Sequence, residues 1–241
     1  MNYLQPIRWL VSSAVYSKDD ILIVGLPKTA TTWLKTVLVQ LYYEDSKSFD
    51  QVNSVALEYG SPIKQIINSD RTRIIKTHRA KNIFHLDHRV KIGLKRDILD
   101  NIVSYYVYSF AKKPSLRNFG FKKFVINNNV VEWFVKFYCS WDSCIDTWLD
   151  FDDIQAENYE KLSCALAPKI GYDPGLVHSV MRENNKESSI RKSNMSNKHK
   201  SKFIEGFQFV GESELKKEVR REIPNEDLVW LKKLIEEKQK R

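Results

Sequence analysis

Short apolar runs alternate with longer amphipathic stretches along the chain, and this alternation predicts strands and helices in turn. The short runs are rich in Ile, Val and Leu, and they predict buried strands at Asp20–Gly25, Arg73–Lys76, Arg89–Lys95 and Asp153–Ala156. Apolar positions at helical spacing predict helices at Thr31–Tyr43, Ser61–Asn68, Ile98–Lys112, Val130–Leu149, Tyr159–Ile170 and Leu228–Lys240. Strands that alternate with helices form parallel sheets covered on both faces, so the pattern predicts an α/β fold.

Residues at the ends of several predicted helices support their boundaries. Asp97 precedes the helix at Ile98 as an N-cap, Gly171 follows the helix that ends at Ile170, and Pro224 starts the C-terminal helix. The polar segment Lys186–Ser201 is predicted to be a loop. The mixed charges of Glu214–Arg221 are typical of a solvated helix face.

Ligands of open parallel sheets bind beyond the carboxyl ends of the strands. Three loops should leave the predicted sheet at that edge, after Gly25, after Lys76 and after Lys95. We therefore expect the functional residues in these three loops.

Composition limits the class of protein. The 241 residues are 42% hydrophobic, which is enough for a core and fits a single domain over residues 1–241. The net charge of +9 suits an anionic partner without naming it. Three cysteines are too few for a disulfide scaffold and indicate a reducing compartment, so we expect a cytoplasmic protein.

Neither apolar stretch near the start of the chain is predicted to cross a membrane. Ile21–Leu41 contains Lys28 and Lys35 and falls short of a spanning helix. Met1–Tyr16 lacks the basic start and the cleavage site of a secretory signal, so a surface helix is expected. A helix that lies on a membrane surface stays open as an alternative.

The loop after the first predicted strand has the features of an anion site. A helix N-terminus with Lys28 and the hydroxyl residues Thr31 and Thr32 would favour a phosphate. The spacing is not that of a Walker A loop, because Lys28 lies three residues after the single glycine, Gly25. An ordinary helix after a strand is the alternative.

Four segments, in order along the chain, resemble motifs of the PAPS-dependent sulfotransferases. Pro27–Trp33 is similar to the family's P-K-[ST]-G-T-T-W loop except at Ala30, where the family has glycine. Lys76–His78 resembles its K-[ST]-H segment. Arg96–Tyr106 resembles its R-[ND]-P-x-D-x-x-x-S-Y-Y segment with Ile98 in place of proline, and Tyr159–Leu162 resembles its Y-E-D-[LM] segment.

The resemblance implies a three-layer α/β fold, a central parallel sheet flanked by helices as in P-loop NTPases. It also implies transfer of a sulfuryl group from PAPS to a hydroxyl or amine, with PAP as product and no metal. His78 would be the general base and Lys28 would stabilise the leaving phosphate. The implied cofactor-binding residues are Lys28, Thr29, Ala30, Thr31, Thr32, Trp33, Arg96, Ser104 and Tyr159.

The resemblance also limits the partners. It implies a small-molecule or glycan acceptor and no nucleic acid, while the acceptor's identity and the oligomeric state stay open. The family's C-terminal R-K-G-x-x-G segment has no close counterpart. Its place could be taken by Lys198, Lys200 and Lys202, or by Arg191 and Lys192.

Other interpretations stay open at this point. His85 and His88 lie near His78 and are rival bases. A small-molecule kinase with a degenerate phosphate loop would need Mg²⁺ and an acid at a strand end, where the predicted strands have lysines. A basic protein that binds a nucleotide or polyanion without turnover is the non-enzymatic alternative.

Overall fold

Strong β formers build the central sheet. The computed structural model describes residues 20–43, 52, 55–58, 72–81, 90–113, 115–116, 120–189 and 214–240. In these residues, five parallel strands pair in the order β2-β3-β1-β4-β5. The strands are β1 Ile21–Gly25, β2 Leu57–Glu58, β3 Ile74–Thr77, β4 Val90–Lys95 and β5 Thr147–Asp150. Because all the pairs are parallel, the carboxyl ends of β1, β3 and β4 lie at one edge, as predicted.

Register places the ends of the three central strands side by side. Val24 of β1 pairs with Thr77 of β3, and Gly25 pairs with Leu94 of β4. A buried ion pair joins the starts of β1 and β3, because Arg73 Nε and Asp20 Oδ1 lie 2.8 Å apart and Arg73 Nη2 lies 2.8 Å from Asp20 Oδ2. Such a two-point pair fixes the alignment of the strands.

Helices follow most strands. They are α1 Thr31–Tyr42, α2 Ile98–Lys112, α3 Gly120–Asn127, α4 Val130–Trp141, α5 Phe151–Gln155, α6 Tyr159–Ile170, α7 Pro174–Glu183, α8 Glu214–Arg221 and α9 Asn225–Gln239. The caps act as expected at two ends: Asp97 Oδ1 accepts a hydrogen bond from the Asp100 N–H at 2.9 Å, and Gly171 ends α6 with a φ of 76°.

The described residues divide into two compact units. The first contains residues 1–95 and 140–185, and the second contains residues 96–139 and 186–241. The expectation of one domain stays a prediction. In the first unit, Ile21, Ile23 and Ile92 of the sheet pack in one core with residues of α1, α6 and α7. The opposite face of the sheet is also covered, because its residues Leu22, Val24 and Ile75 are fully buried.

Aromatic side chains form much of the second unit's core. Tyr106 of α2 packs edge-on against Phe121 of α3, with ring centroids 5.2 Å apart. Trp133 and Phe134 of α4 pack against Tyr105. Edge-to-face aromatic pairs add to the stability of such a core.

The fold class is the one predicted, but two predicted elements are wrong. The strand expected at Asp153–Ala156 is instead β5 at Thr147–Asp150, and the long helix expected to end at Leu149 ends at Trp141. Trp148 explains the first difference. Its ring occupies the space that a side chain at Gly93 would fill, and the two residues are partners in the pairing of β5 with β4. Asp150 then caps α5 by accepting from the Asp152 N–H at 3.0 Å, so the acidic residues that follow are helical.

Some predictions concern residues outside the described ranges. These are the helices at Met1–Tyr16 and Ser61–Asn68 and most of the loop at Lys186–Ser201. The polar helix at Glu214–Arg221 is confirmed as α8. Within the described ranges, every helix is too short or too polar to cross a bilayer.

Candidate active site

The loop between β1 and α1 is a tight turn built around left-handed backbone. Lys28 and Ala30 have φ values of 73° and 66°. Inside the turn, Thr29 is fully buried and its hydroxyl donates to the Leu26 carbonyl at 2.8 Å. The Thr29 N–H donates to the same carbonyl at 3.4 Å, so this residue holds the loop in shape.

The N-terminus of α1 is open to an anion. Ala30 is the N-cap residue and makes no side-chain cap bond, and the first turn contains no acidic residue. The first bond within the helix runs from the Leu34 N–H to the Ala30 carbonyl at 3.1 Å. The N–H groups of the preceding turn, Thr31–Trp33, have no partner within the helix, and with the helix dipole they favour a phosphate or sulfate.

Where β1 meets this loop, at position 25, only glycine fits without a clash. A Cβ atom there would lie 2.6 Å from Thr31 Cγ2 and 2.7 Å from Thr29 Oγ1. It would also lie 3.2 Å from Leu94 Cβ in the neighbouring strand. The missing side chain lets the loop fold back over the end of the sheet.

His78 lies beside this loop because of the register of β1 and β3. It follows Thr77, the partner of Val24, and its Nδ1 atom contacts the Gly25 carbonyl oxygen. A carbonyl can only accept a hydrogen bond, so Nδ1 carries the proton and Nε2 keeps its lone pair. The contact therefore makes Nε2 the basic nitrogen of the ring.

The surroundings of His78 keep its imidazole neutral. Burial is the largest cause that lowers the pKa of His78 to about 4, and the positive charge of Lys76 acts in the same direction. The hydrogen bond to Gly25 and the charge of Glu58 act in the opposite direction. Near neutral pH the Nε2 lone pair is therefore available to take a proton.

An ion pair that the sequence does not predict lies next to His78. Lys76 Nζ lies 2.9 Å from Glu58 Oε1, and the two residues are partners in the β2–β3 pairing. Lys35 of α1 is buried, and its charge helps to lower the pKa of Glu58 against the effect of burial. The spacing of Lys76 and His78 indicates a shared strand face, but nothing in the sequence pairs Glu58 with Lys76.

Trp33 and Tyr159 lie together in the first unit. Their rings are stacked, with centroids 6.2 Å apart and planes inclined by 15°. The Trp33 Nε1–H donates to the Asn184 carbonyl at 2.9 Å, which fixes the indole. Burial and the Glu157 carboxylate raise the pKa of Tyr159 to about 12, so its phenol stays protonated.

Arg96 and Ser104 belong to the second compact unit. Arg96 follows β4 directly, and its backbone N–H donates to the Tyr138 hydroxyl at 3.3 Å. Ser104 lies on α2 and is 8% exposed. Asn101, one turn earlier on α2, is fully buried, and its amide atoms have no hydrogen-bond partner among the described residues.

The structure thus brings together most of the expected site. Gly25, the loop Lys28–Trp33 and His78 form one cluster, and Tyr159 joins it through Trp33. The rival bases His85 and His88 and the basic residues proposed near the C-terminus lie outside the described ranges. Among the residues that are described, no group of His, Cys, Asp and Glu could hold a metal ion.

A model of the sulfotransferase domain matches residues 18–159, which include the loop, His78, Arg96, Ser104 and Tyr159. The match covers more than half of the chain, so the chain belongs to the sulfotransferase domain family. A search of curated protein sequences gives no significant match.

Solved structures of similar fold cover nearly the whole chain. Retinol dehydratase in complex with androsterone and the inactive cofactor PAP has a TM-score of 0.70 at 14% identity, over 96% of this chain and 85% of that one. Its complex with retinol and PAP has a TM-score of 0.67 at 12% identity, over 95% and 85%. Mouse sulfotransferase SULT7A1 complexed with PAP has a TM-score of 0.65 at 13% identity, over 99% and 91%.

Proposed function

We propose that the protein transfers the sulfuryl group of PAPS to a hydroxyl or amine of an acceptor. The observation that carries the proposal is the contact between His78 Nδ1 and the Gly25 carbonyl oxygen. This contact leaves a basic Nε2 beside a helix N-terminus that suits a phosphate. A base next to an anion site is the combination that sulfuryl transfer requires.

The loop and the start of α1 would hold the 5′-phosphosulfate. Backbone N–H groups of Thr31, Thr32 and Trp33 are available there, together with the hydroxyls of Thr31 and Thr32. The ammonium of Lys28 would stabilise the negative charge that builds on the departing phosphate oxygen. Thr29 and Ala30 would contribute the shape of the loop.

His78 would remove the acceptor's proton. As the acceptor oxygen or nitrogen bonds to sulfur, its proton passes to Nε2 and the bond from sulfur to the phosphate oxygen breaks, which releases PAP. A pKa of about 4 makes a weak base, but nearby negative charge raises the pKa of an imidazole. Binding of the anionic PAPS would therefore strengthen the base.

The remaining family positions would hold the rest of the nucleotide. Arg96 offers a planar guanidinium for two-point binding of the 3′-phosphate, with the hydroxyl of Ser104 as a second donor. Trp33 offers a ring for stacking of the adenine, and Tyr159 packs behind it. No metal is required, since Lys28 and Arg96 provide positive charge.

The ligands of one structural neighbour suggest a class of acceptor to test. Retinol dehydratase is crystallised with androsterone and with retinol, both lipophilic alcohols. We propose a small lipophilic alcohol or phenol as the first class to test, with glycans as the second. A cytoplasmic location is expected for an enzyme with such substrates.

Thermal unfolding with nucleotides tests the proposal. A ligand that binds only the folded protein raises the melting temperature. We expect PAP to raise the melting temperature more than ADP does. Lys28→Met should reduce the PAP effect, whereas Lys95→Met, at an exposed strand end, should preserve it. A positive result is followed by PAPS turnover with sterol, retinoid, phenol and sugar acceptors. A shift only with ATP and Mg²⁺ would favour a kinase instead, and PAP binding without turnover would favour a binding protein.

A further inference from the structure

A polar cleft opens beside the Trp33–Tyr159 pair. Its volume is about 370 Å³, and all its lining residues belong to the first compact unit. The lining is made of hydrogen-bonding side chains: Glu157, Tyr159, His178, Arg182 and Asn185. The cleft therefore has the chemistry to bind a small polar group.

The cleft adjoins the ring of Trp33. Tyr159 lines the cleft and stacks on that ring. Trp33 Nε1 also donates to the carbonyl of Asn184, the neighbour of the lining residue Asn185. A base held next to the Trp33–Tyr159 pair would therefore lie close to this cleft.

The charges of the cleft suit a neutral heterocycle better than a phosphate. The carboxylate of Glu157 balances the guanidinium of Arg182, whereas the first turn of α1 has no acidic residue at all. The Tyr159 phenol donates to the Glu157 carboxylate. A carboxylate accepts several hydrogen bonds, so this contact orients Glu157 and leaves it able to accept from a ligand.

The backbone at Glu157 is held in an unfavourable conformation. Its φ is 56°, in the left-handed region that is unfavourable for a residue with a Cβ. Two bonds hold it there, from the Glu157 N–H to the Ile154 carbonyl at 3.3 Å and from the Tyr159 N–H to the Glu157 carbonyl at 2.7 Å. Such strain is concentrated at functional sites, where it aims a side chain.

We propose that Glu157 selects the base of the nucleotide by accepting a hydrogen bond from the exocyclic amino group of adenine. This inference rests on the proposed function, since it concerns the base of PAPS. Adenine has an amino donor at position 6, whereas hypoxanthine and guanine have a carbonyl acceptor there. A carbonyl facing the Glu157 carboxylate is repelled, so Glu157 rejects 6-oxopurines as well as binding adenine.

Calorimetric titration of the full chain with PAP and with inosine 3′,5′-bisphosphate tests this selection. These ligands differ in the base alone, and neither requires a known acceptor. We expect the unaltered protein to bind PAP about tenfold more tightly or better, as expected for a hydrogen bond to a charged group. Glu157→Gln should bring the two affinities within about threefold, because an amide can donate as well as accept.

Glu160→Gln is the matched control. Glu160 is exposed on the first turn of α6, three residues from Glu157, and does not line the cleft, so this variant should keep the full preference. Glu157→Gly removes the carboxylate but suits the positive φ, so it should fold and should also lose the preference.

The outcomes separate the inference from the proposed function. Tight PAP binding with no preference over the inosine analogue would overturn the role of Glu157 and leave the proposed function intact. A preference that survives in both Glu157 variants would overturn it too. If neither bisphosphate binds, the proposed function fails, and the inference fails with it.

Discussion

The imidazole of His78 is oriented by the backbone carbonyl of Gly25. The two residues lie at the ends of neighbouring strands and are 53 residues apart in the sequence. The carbonyl oxygen of Gly25 accepts from Nδ1, so the tautomer of His78 depends on the strand that carries the loop. The loop that we propose to bind phosphate and the proposed base are thus joined at one peptide group. A change that moves the loop should also move the base.

Replacement of His78 by Ala should abolish sulfuryl transfer and leave PAP binding within a few fold. A general base contributes about 10²–10⁴-fold to a rate, whereas the phosphate contacts proposed for the loop would not depend on the imidazole. Turnover with PAPS and PAP titration measure the two effects. His85→Ala and His88→Ala are the matched controls and should retain activity. Unchanged turnover in His78→Ala would remove this residue from the base role.

Stability should depend on pH through His78. The pKa of His78 is about 4 in the folded protein and about 6.5 when unfolded. Between these values the unfolded chain binds a proton that the folded protein does not, so the free energy of unfolding rises with pH from 4 to 6.5 and levels off above. The rise due to this group is at most about 3 kcal/mol.

Urea unfolding at a series of pH values measures this dependence. His78→Gln should reduce the slope between pH 4 and 6.5, because glutamine binds no proton. An equal slope in the variant and in the unaltered protein would show that other groups cause the acid sensitivity.

Ala30→Gly should stabilise the protein. Ala30 has a φ of 66° and a ψ of 21°, and relief of this conformation outweighs the greater freedom of glycine in the unfolded chain, with a net gain of about 0.5–1 kcal/mol. Urea unfolding of the variant gives the value. Ala165→Gly, inside α6, is the control and should lose about 1 kcal/mol. A loss in both variants would contradict the strain at Ala30.

Arg96→Ala should weaken PAP binding far more than ADP binding. The two nucleotides differ in the 3′-phosphate, which the proposed function assigns to Arg96, and a lost charged hydrogen bond corresponds to about 10–100-fold in affinity. Calorimetric titration with both nucleotides measures the difference. Lys95→Ala, at the exposed residue just before Arg96, should change the affinity for either nucleotide little. Equal losses of PAP and ADP in Arg96→Ala would show that Arg96 does not bind the 3′-phosphate.

Local signals were sufficient for several elements of the fold. The helix predicted at Tyr159–Ile170 is α6 with the same ends, because Gly171 adopts the left-handed conformation that stops it. The helix predicted at Ile98–Lys112 is α2, because Asp97 caps its first turn. Caps and short apolar runs act within a few residues, so they can be interpreted without a partner.

Strands at the edges of the sheet could not be predicted in the same way. β2 has only two residues, and β5 lies at the end of a stretch that the sequence predicts to be helical, because Trp148 continues an apolar helical spacing. Each depends on its neighbour: Leu57 pairs with Ile75, and Trp148 pairs with Gly93. Pairing between distant segments overrides local propensity here.

The sequence by itself determined the α/β class, the loop at Lys28–Trp33, and the order of His78 and Arg96 along the chain, since these depend on local spacing and residue type. Only the tertiary structure decided which nitrogen of His78 is basic, that Glu58 pairs with Lys76, and that Glu157 faces a cleft beside Trp33. Tautomers and ion pairs depend on distances of about 3 Å between groups that are far apart in sequence. Strand register and helix packing set those distances.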